Sequence, residues 1–523
     1  MATKQVCGEP YSLAGRRMAF TNWYYVRPCV HRWYNSQGES VWTQSTCDAL
    51  DAQIRRINEP WGIRLRVNRP QRSGPIIQEE RPWEEGGVGF SVVLKDDGVY
   101  RAWAQTGWGD SDRAPTRFCC YESQDGLSWR RPSCGIMEHE GSKENNLLGA
   151  KGGAVFIDPS TPPAERYKWV NVQTFRREVF DQFKHRFPSR VDAKCDSAGA
   201  ADADVVFGIE GAFSSDGYHW TIIKEPLALF YADAPVVAYY DARLRKYVGY
   251  FREWVVGPTC AEPRIRAKDG HRHWKSIGRR AVGRAETDDF RQFPLSEVVL
   301  EPHLAMTPSQ TLYVSCKTAI PGAPENHLMF PTVWDTASDA THVTLATSHD
   351  GITWSYAPHP DVLLETAEFG QWDGGCLFTL PNLIELPNGE FALPYCGFDV
   401  PHKYPRGTAK RATGYAVWPK GRLMGIEARE RGEFATVGVV PMGQTLRINA
   451  VTARAGSILV EAADLDGTPL PGRDFASAIP VRGDGYQVPV AWRDHDALGL
   501  KQGEGVILRI RMDRAILYWL DFV

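Results

Sequence analysis

A seven-residue pattern, Ser-x-Asp-Gly-x-x-Trp, recurs three times along the chain, at 123–129, 214–220 and 348–354. Repetition of this kind constrains a fold more than any single motif, because each copy must close the same local structure in a new place. The Asp side chain can accept from backbone N–H groups of a tight hairpin, and the Gly supplies the positive φ that such a turn demands. The Trp then packs between neighbouring sheets. Turn chemistry accounts for these residues in full, so they are set aside as catalytic candidates. A degenerate copy at 287–293 keeps the hydroxyl, the Asp and the terminal aromatic.

Strand-like runs precede each copy. Before the first come 89–94, 99–104 and 117–121, and before the second 153–157, 166–170 and 206–213. The degenerate copy follows 235–240, 246–252 and 280–285, and the last copy follows 327–330 and 341–347. A fifth set runs through 377–378, 383–386, 390–395 and 414–418. Hairpin signals such as Asp96-Asp-Gly98 and Pro387-Asn-Gly389 separate the members. Radial closure of such units leaves little exposed sheet edge, so the expected fold is all-β, a five-bladed β-propeller over 80–430. The polar insertions at about 176–204 and 257–279 read as long loops. Short apolar runs at 444–449, 457–461, 486–490 and 506–511, broken by Asp464-Leu-Asp-Gly467 and Arg482-Gly-Asp-Gly485, predict a small β-sandwich over 431–523. Residues 1–79 are expected to pack on the propeller, with a helix at 47–58.

The 523 residues carry a formal net charge of −3, which does not suggest a strongly basic face for nucleic acid. Eleven cysteines without a CxxC pair exclude metal-finger spacing, and most are expected to be buried small hydrophobes. Cys119 and Cys120 are neighbours on a predicted strand and so point to opposite faces. The first twenty residues lack the apolar core of a signal peptide, and no apolar stretch reaches the ~20 residues of a membrane span. The expectation is a cytoplasmic protein with no membrane partner, for which a homo-oligomer is one open arrangement.

Propellers place ligands at the axis, where the first strands of the blades converge. Carboxylates just ahead of those strands are therefore the candidates: Glu84 in blade one, Asp233 in blade three and Asp373 in blade five. Carboxylates around one axis are what a glycosidase requires, one as general acid and another as base or nucleophile. Acids at such places also cap loops or hold arginines, which is the structural alternative for each. Trp83, Asn145, Asn146, His327 and Trp372 lie at corresponding places, Lys151 follows the asparagines, Arg252 and Glu253 end the second strand of blade three, and His402 follows Cys396-Gly-Phe-Asp399; these are the substrate-binding candidates. The chain has no HExxH, Walker loop, GxSxG or dinucleotide fingerprint, so no cofactor is expected beyond a structural cation that a central His can ligate.

Arg81-Pro-Trp-Glu84, Asn145-Asn146, Glu165-Arg-Tyr-Lys168, the repeated turns, Trp372-Asp-Gly374 and Leu517-Tyr-Trp519 together carry a resemblance. The chain resembles the five-bladed propeller glycosidases, the invertase/inulinase-like and arabinanase-like families. It is most similar to bacterial invertase-related proteins that add a C-terminal sandwich. That resemblance implies a blade-one nucleophile at Glu84 and a blade-three acid at Asp233. Blade two has Asn145 and Asn146 where the families have Asp, and blade three has Asp for Glu, so Asp373 is expected to take over a role, which suits an inverting arrangement. The implied function is hydrolysis of a furanoside or similar small glycosidic unit. A non-catalytic carbohydrate-binding propeller and a glycoside phosphorylase, the latter using Arg252, Lys151 and His402 for phosphate, are the alternatives.

Overall fold

The computed structural model describes residues 8–41, 52–107, 116–192, 195, 205–230, 232, 235–255, 278–359, 361–404 and 409–523. These are mostly strand and divide into two compact units. The first comprises Arg69–Pro321 and His327–Gly421, and the second takes the chain up to Asn68, Gly322–Asn326 and Arg422–Val523.

In the first unit, antiparallel sheets follow one another along the chain. Sheet A is Val88–Asp96, Val99–Thr106, Arg117–Ser123 and Leu147–Gly149. Sheet B is Ala154–Ile157, Tyr167–Arg176, Val205–Ser214 and Thr221–Ile222. Sheet C is Val237–Asp241, Lys246–Val255, Arg279–Thr287 and Glu297–Leu300. Next come two short sheets. Sheet D holds Gln310–Val314, Thr332–Asp335, Thr341–Val343 and Leu364–Glu365, while D′ holds Lys317–Ile320, the part of Ala323–Met329 from His327 on, Ala346–Ser348 and Ser355–Tyr356. They are two lengths of the same four chain passes. The break falls where Cys316 adopts φ 43° and where Pro331 has no N–H to give, and the bonds Phe330 N–H to Cys316 O and Thr344 N–H to Pro331 O carry the ladder across it. Sheet E is Cys376–Thr379, Phe391–Phe398 and Arg411–Trp418, with Ile384–Glu385 at one side. Its outermost strand is Gln71–Arg72, from ahead of sheet A.

Apolar clusters fill the spaces between successive sheets. Trp103 and Val155 meet between A and B, Phe156 and Phe251 between B and C, and Tyr250 and Leu312 between C and D. The last sheet packs on the first through Tyr415, Leu386, Val88 and Phe90. Threonines staple neighbouring sheets: Thr413 Oγ1 accepts from Phe90 N–H, Thr311 Oγ1 from Arg280 N–H, and Thr341 Oγ1 from Leu377 N–H.

The repeated turns take part in this joining. In each, the Ser hydroxyl accepts the N–H groups of the Asp and Gly, and the Asp accepts two N–H groups further on. The Gly carbonyl then receives an aromatic donor from the preceding sheet. Tyr415 Oη reaches Gly126 O at 2.8 Å, Trp103 Nε1 reaches Gly217 O at 2.7 Å, and Tyr250 Oη reaches Gly351 O at 2.6 Å. A Cβ on Gly217 would lie 2.8 Å from the Trp103 ring, so the turn demands glycine for packing as well as for its φ of +81°. The turn tryptophans pack between sheets as expected: Trp129 on Phe90 and Trp354 on Tyr250.

Several expectations change. The first strand of the D pass is Gln310–Ile320, broken at Cys316, rather than 327–330. Part of the polar insertion at 176–204 is a helix, Arg177–Arg186, anchored by buried Phe180 and Phe183. The insertion at 257–277 lies outside the described residues. The helix expected at 47–58 is absent from the described part, where Gln53–Ile57 is a strand paired with Val30–Tyr34; tertiary pairing overrides local propensity.

Residues 8–68 belong to the second unit, with the C-terminal strands, because Arg17–Ala19 pairs with Ile507–Phe522 and Arg64–Val67 with Met424–Ala435. The runs at 444–449 and 457–461 are one bulged 18-residue strand, Leu446–Ala463, in a six-stranded sheet. Leu517, Tyr518 and Trp519 are buried there. Arg17, fully buried, forms a two-pronged bond to Asp521 and lies over the Trp519 ring.

Removing the turn hydroxyl strands two backbone donors. Ser123→Ala, Ser214→Ala and Ser348→Ala are each expected to cost about 1–2 kcal/mol in a urea melt, whereas exposed Ser160→Ala costs less.

Candidate functional site

Antiparallel pairing puts the starts of first and third strands and the ends of second strands at one end of every sheet, with the repeated turns at the other. Of the three expected catalytic carboxylates, Asp233 lies outside the described residues. The other two are buried and hydrogen-bonded.

Glu84 has no exposed surface. Tyr121 Oη and Arg131 Nε donate to its Oε1 at 2.7 Å each, and Arg131 Nη2 and the N–H groups of Glu80 and Arg81 to Oε2. These bonds anchor the turn Pro82–Glu84 to sheet A. Asp373 is 2% exposed, receives Tyr395 Oη at 2.8 Å and has Arg72 3.6 Å away. Its neighbour Trp372 stacks on Tyr395 over Gly397 and Gly414, whose added Cβ atoms would come within 2.5–2.6 Å of that ring. The Trp-Asp-Gly segment thus clamps sheet E onto its closing strand.

Asn145 and Asn146 are buried and hydrogen-bonded to neighbouring groups. Asn145 bridges Met137 O, Ser142 O and Leu147 N–H, and Asn146 bridges Cys120 O and Trp83 Nε1. Trp83 is therefore held as a wall rather than left free. His327 lies in D′, next to the turn end of its sheet, because it belongs to a second strand; burial pushes its imidazole well below the usual range. Its Nδ1 has no partner among the described residues.

Lys151 leads to the group that sequence reasoning missed. In sheet B the first strand stops at Ala154, opposite Val170, while the second and third continue, pairing 171–176 with 205–210. In the first row beyond that stop Asn171 stands opposite Glu210, and Lys151, ahead of the first strand, reaches this pair. Lys151 Nζ donates to Glu210 Oε1 at 2.9 Å, and Asn171 Nδ2 to Gly152 O. Glu210 is 4% exposed and its Oε2 has no hydrogen-bond partner among the described residues. A buried carboxylate oxygen left unbonded is costly. The signal in the sequence was a lone acid inside the apolar run 206–213.

Sheet C extends in the same way, with 251–255 paired to 279–283. Arg252 and Arg280 place their guanidinium carbons 4.5 Å from the Tyr313 ring, on either strand of that extension. Tyr313 is the extra residue at a bulge between Leu312 and Val314, a device that re-aims a side chain. It also meets Trp334, Phe378 and His402, so one half-buried phenol joins sheets C, D and E. Burial pushes that phenol up, but Arg252, Arg280 and Lys403 together outweigh it and leave it below the ordinary tyrosine range. Glu253, on the opposite face of its strand, accepts Ser296 Oγ at 2.7 Å.

The chain matches no protein-family model, and no curated protein matches it. Similar solved structures include the GH32 β-fructofuranosidase of Bombyx mori, 10% identical over 84% of this chain and 95% of that one, with a TM-score of 0.35. The catalytic domain of the Coprinopsis cinerea GH62 α-L-arabinofuranosidase is 10% identical over 67% and 97%, with a TM-score of 0.36. A thermostable family-43 glycoside hydrolase is 13% identical over 63% and 89%, with a TM-score of 0.36.

The Glu84 assignment has a measurable consequence. Glu84→Gln breaks a buried ion pair and is expected to lower stability by about 3 kcal/mol in a denaturant melt; an unchanged melt with lost ligand binding would return Glu84 to the site.

Proposed function

We propose that the protein is a glycoside hydrolase whose sheets are the blades of a five-bladed propeller, D and D′ forming one split blade. Its site is the end of the ring where the first strands begin. The observation that carries the reading is Glu210: a buried carboxylate, held next to the Lys151 ammonium, with one oxygen unbonded in the row just beyond the first strand of sheet B. Such a group suits the base or nucleophile of glycosidic cleavage. Asp233, by its place in the sequence just ahead of Val237, is the acid candidate. Tyr313, Trp334 and Phe378 supply the apolar faces a sugar ring packs on, and Arg252 and Arg280 the donors to its hydroxyls. The motifs shared with the five-bladed glycosidases support a furanoside or similarly small unit as substrate.

A carbohydrate-binding role without turnover is the second reading, favoured by the aromatic group around Tyr313. A screen of aryl furanosides and pyranosides, with and without phosphate, separates the readings. Hydrolysis is expected without phosphate, and Glu210→Gln is expected to lower kcat/KM by about 10²–10⁴-fold with the melt little changed. Binding without turnover by the wild type, or full activity in both Glu210→Gln and Asp233→Asn, overturns the hydrolase reading.

A further inference from the structure

Cys119 and Cys120 stand side by side on the third strand of sheet A, and strand alternation sends their sulfurs to opposite faces. The two thiols meet different chemistry. Cys119 Sγ faces Thr106 Oγ1 at 4.0 Å with no exposed surface, and burial pushes its thiol up to about 12. Cys120 Sγ instead lies 3.2 Å from Cys134 Sγ, fourteen residues further along the chain. Cys134 is half-buried, and among the described residues its Sγ otherwise bonds only Pro132 O, at 3.6 Å. The bond from the Cys120 side holds the Cys134 thiol below its ordinary range, which marks it as the more readily ionised of the two.

We propose that Cys120 and Cys134 form an oxidisable dithiol, a modification site at which a peroxide closes a disulfide between the third strand of sheet A and the loop that follows it. The Cys134 thiolate attacks one peroxide oxygen, the O–O bond breaks, and hydroxide leaves Cys134 as a sulfenic acid. Cys120 then attacks that sulfur as it gives up its proton; the S–S bond forms, the S–O bond breaks, and water leaves. Two thiols and one peroxide become one disulfide and two waters. The sulfurs must approach by about 1.2 Å to reach an S–S bond length of about 2.05 Å, a movement the half-buried Cys134 side can supply.

The bond would tie down a functional wall. Cys120 N–H donates to Asn146 O and Cys134 N–H to Asn145 O, so the two cysteines flank the Asn145-Asn146 segment that positions Trp83. The tied loop also carries Arg131, the partner of Glu84. Oxidation therefore rigidifies this edge of the ring without touching Lys151 or Glu210.

The test treats the full-length chain with stoichiometric hydrogen peroxide and reads intact mass, free thiols and a non-reducing peptide map. Loss of two hydrogen masses, two fewer titratable thiols and a Cys120–Cys134 cross-linked peptide reversed by dithiothreitol are expected, with a melting temperature a few degrees higher. Cys119→Ser should keep the cross-link, and Cys134→Ser should abolish it. Oxygen added to Cys134 with Cys120 unchanged, or a cross-link through Cys119, overturns the proposal, and the wild-type peptide map decides it even where a variant does not fold.

Discussion

The joint between the last sheet and the first holds the first unit together. Tyr415 of sheet E gives its hydroxyl proton to the carbonyl of Gly126 in the turn of sheet A, and Thr413 bonds both the N–H of Phe90 and the carbonyl of Val88. Alongside, Gln71–Arg72 completes sheet E from ahead of sheet A, so two ends of the unit share one sheet. Gly87 comes so close to Arg411 that a Cβ there would stand 1.9 Å from its carbonyl oxygen. Without this joint the inter-sheet bonds elsewhere would make a chain of sheets with open edges at both ends.

Closure also explains which polar groups became structural. Glu84 and Asp373 flank the joint, each tied to a tyrosine and an arginine, and their burial stabilises the turns that lead into sheets A and E. Sheets B and C differ because their second and third strands outrun the first. The extra length carries Glu210, Arg252 and Arg280 to the end where first strands begin, and the bulge at Tyr313 turns an aromatic towards the two arginines. The same elements that build the walls therefore select the chemistry.

The turns, their sheet assignments and the packing role of their tryptophans were legible in the sequence, because Ser, Asp and Gly at fixed spacing have one cheap local solution. The first strand of sheet D was not, since its ladder crosses a break at Cys316 and Pro331 that periodicity cannot anticipate. Nor was the membership of 8–68, which depends on pairing with strands more than 350 residues away. The site suffered most. An acid ahead of a strand looks alike whether it caps a turn, as Glu84 does, or faces a ligand. Glu210 hid inside a strand, where only the register with Asn171 and the stop at Ala154 reveal its place.

Gln71–Arg72 and the residues after it join the start of the first unit to sheet E. Ser73 N–H bonds to Tyr415 O and Ile76 N–H to Thr413 O, each at 2.9 Å. Native-state hydrogen exchange measures this joint directly, because amides in one cooperative unit open with similar free energies. The Ser73 and Ile76 amides are expected to be protected to nearly the same degree as those of Leu393 and Tyr395 inside sheet E. Rapid exchange at Ser73 and Ile76 while Leu393 and Tyr395 stay protected would show an open joint and contradict that expectation.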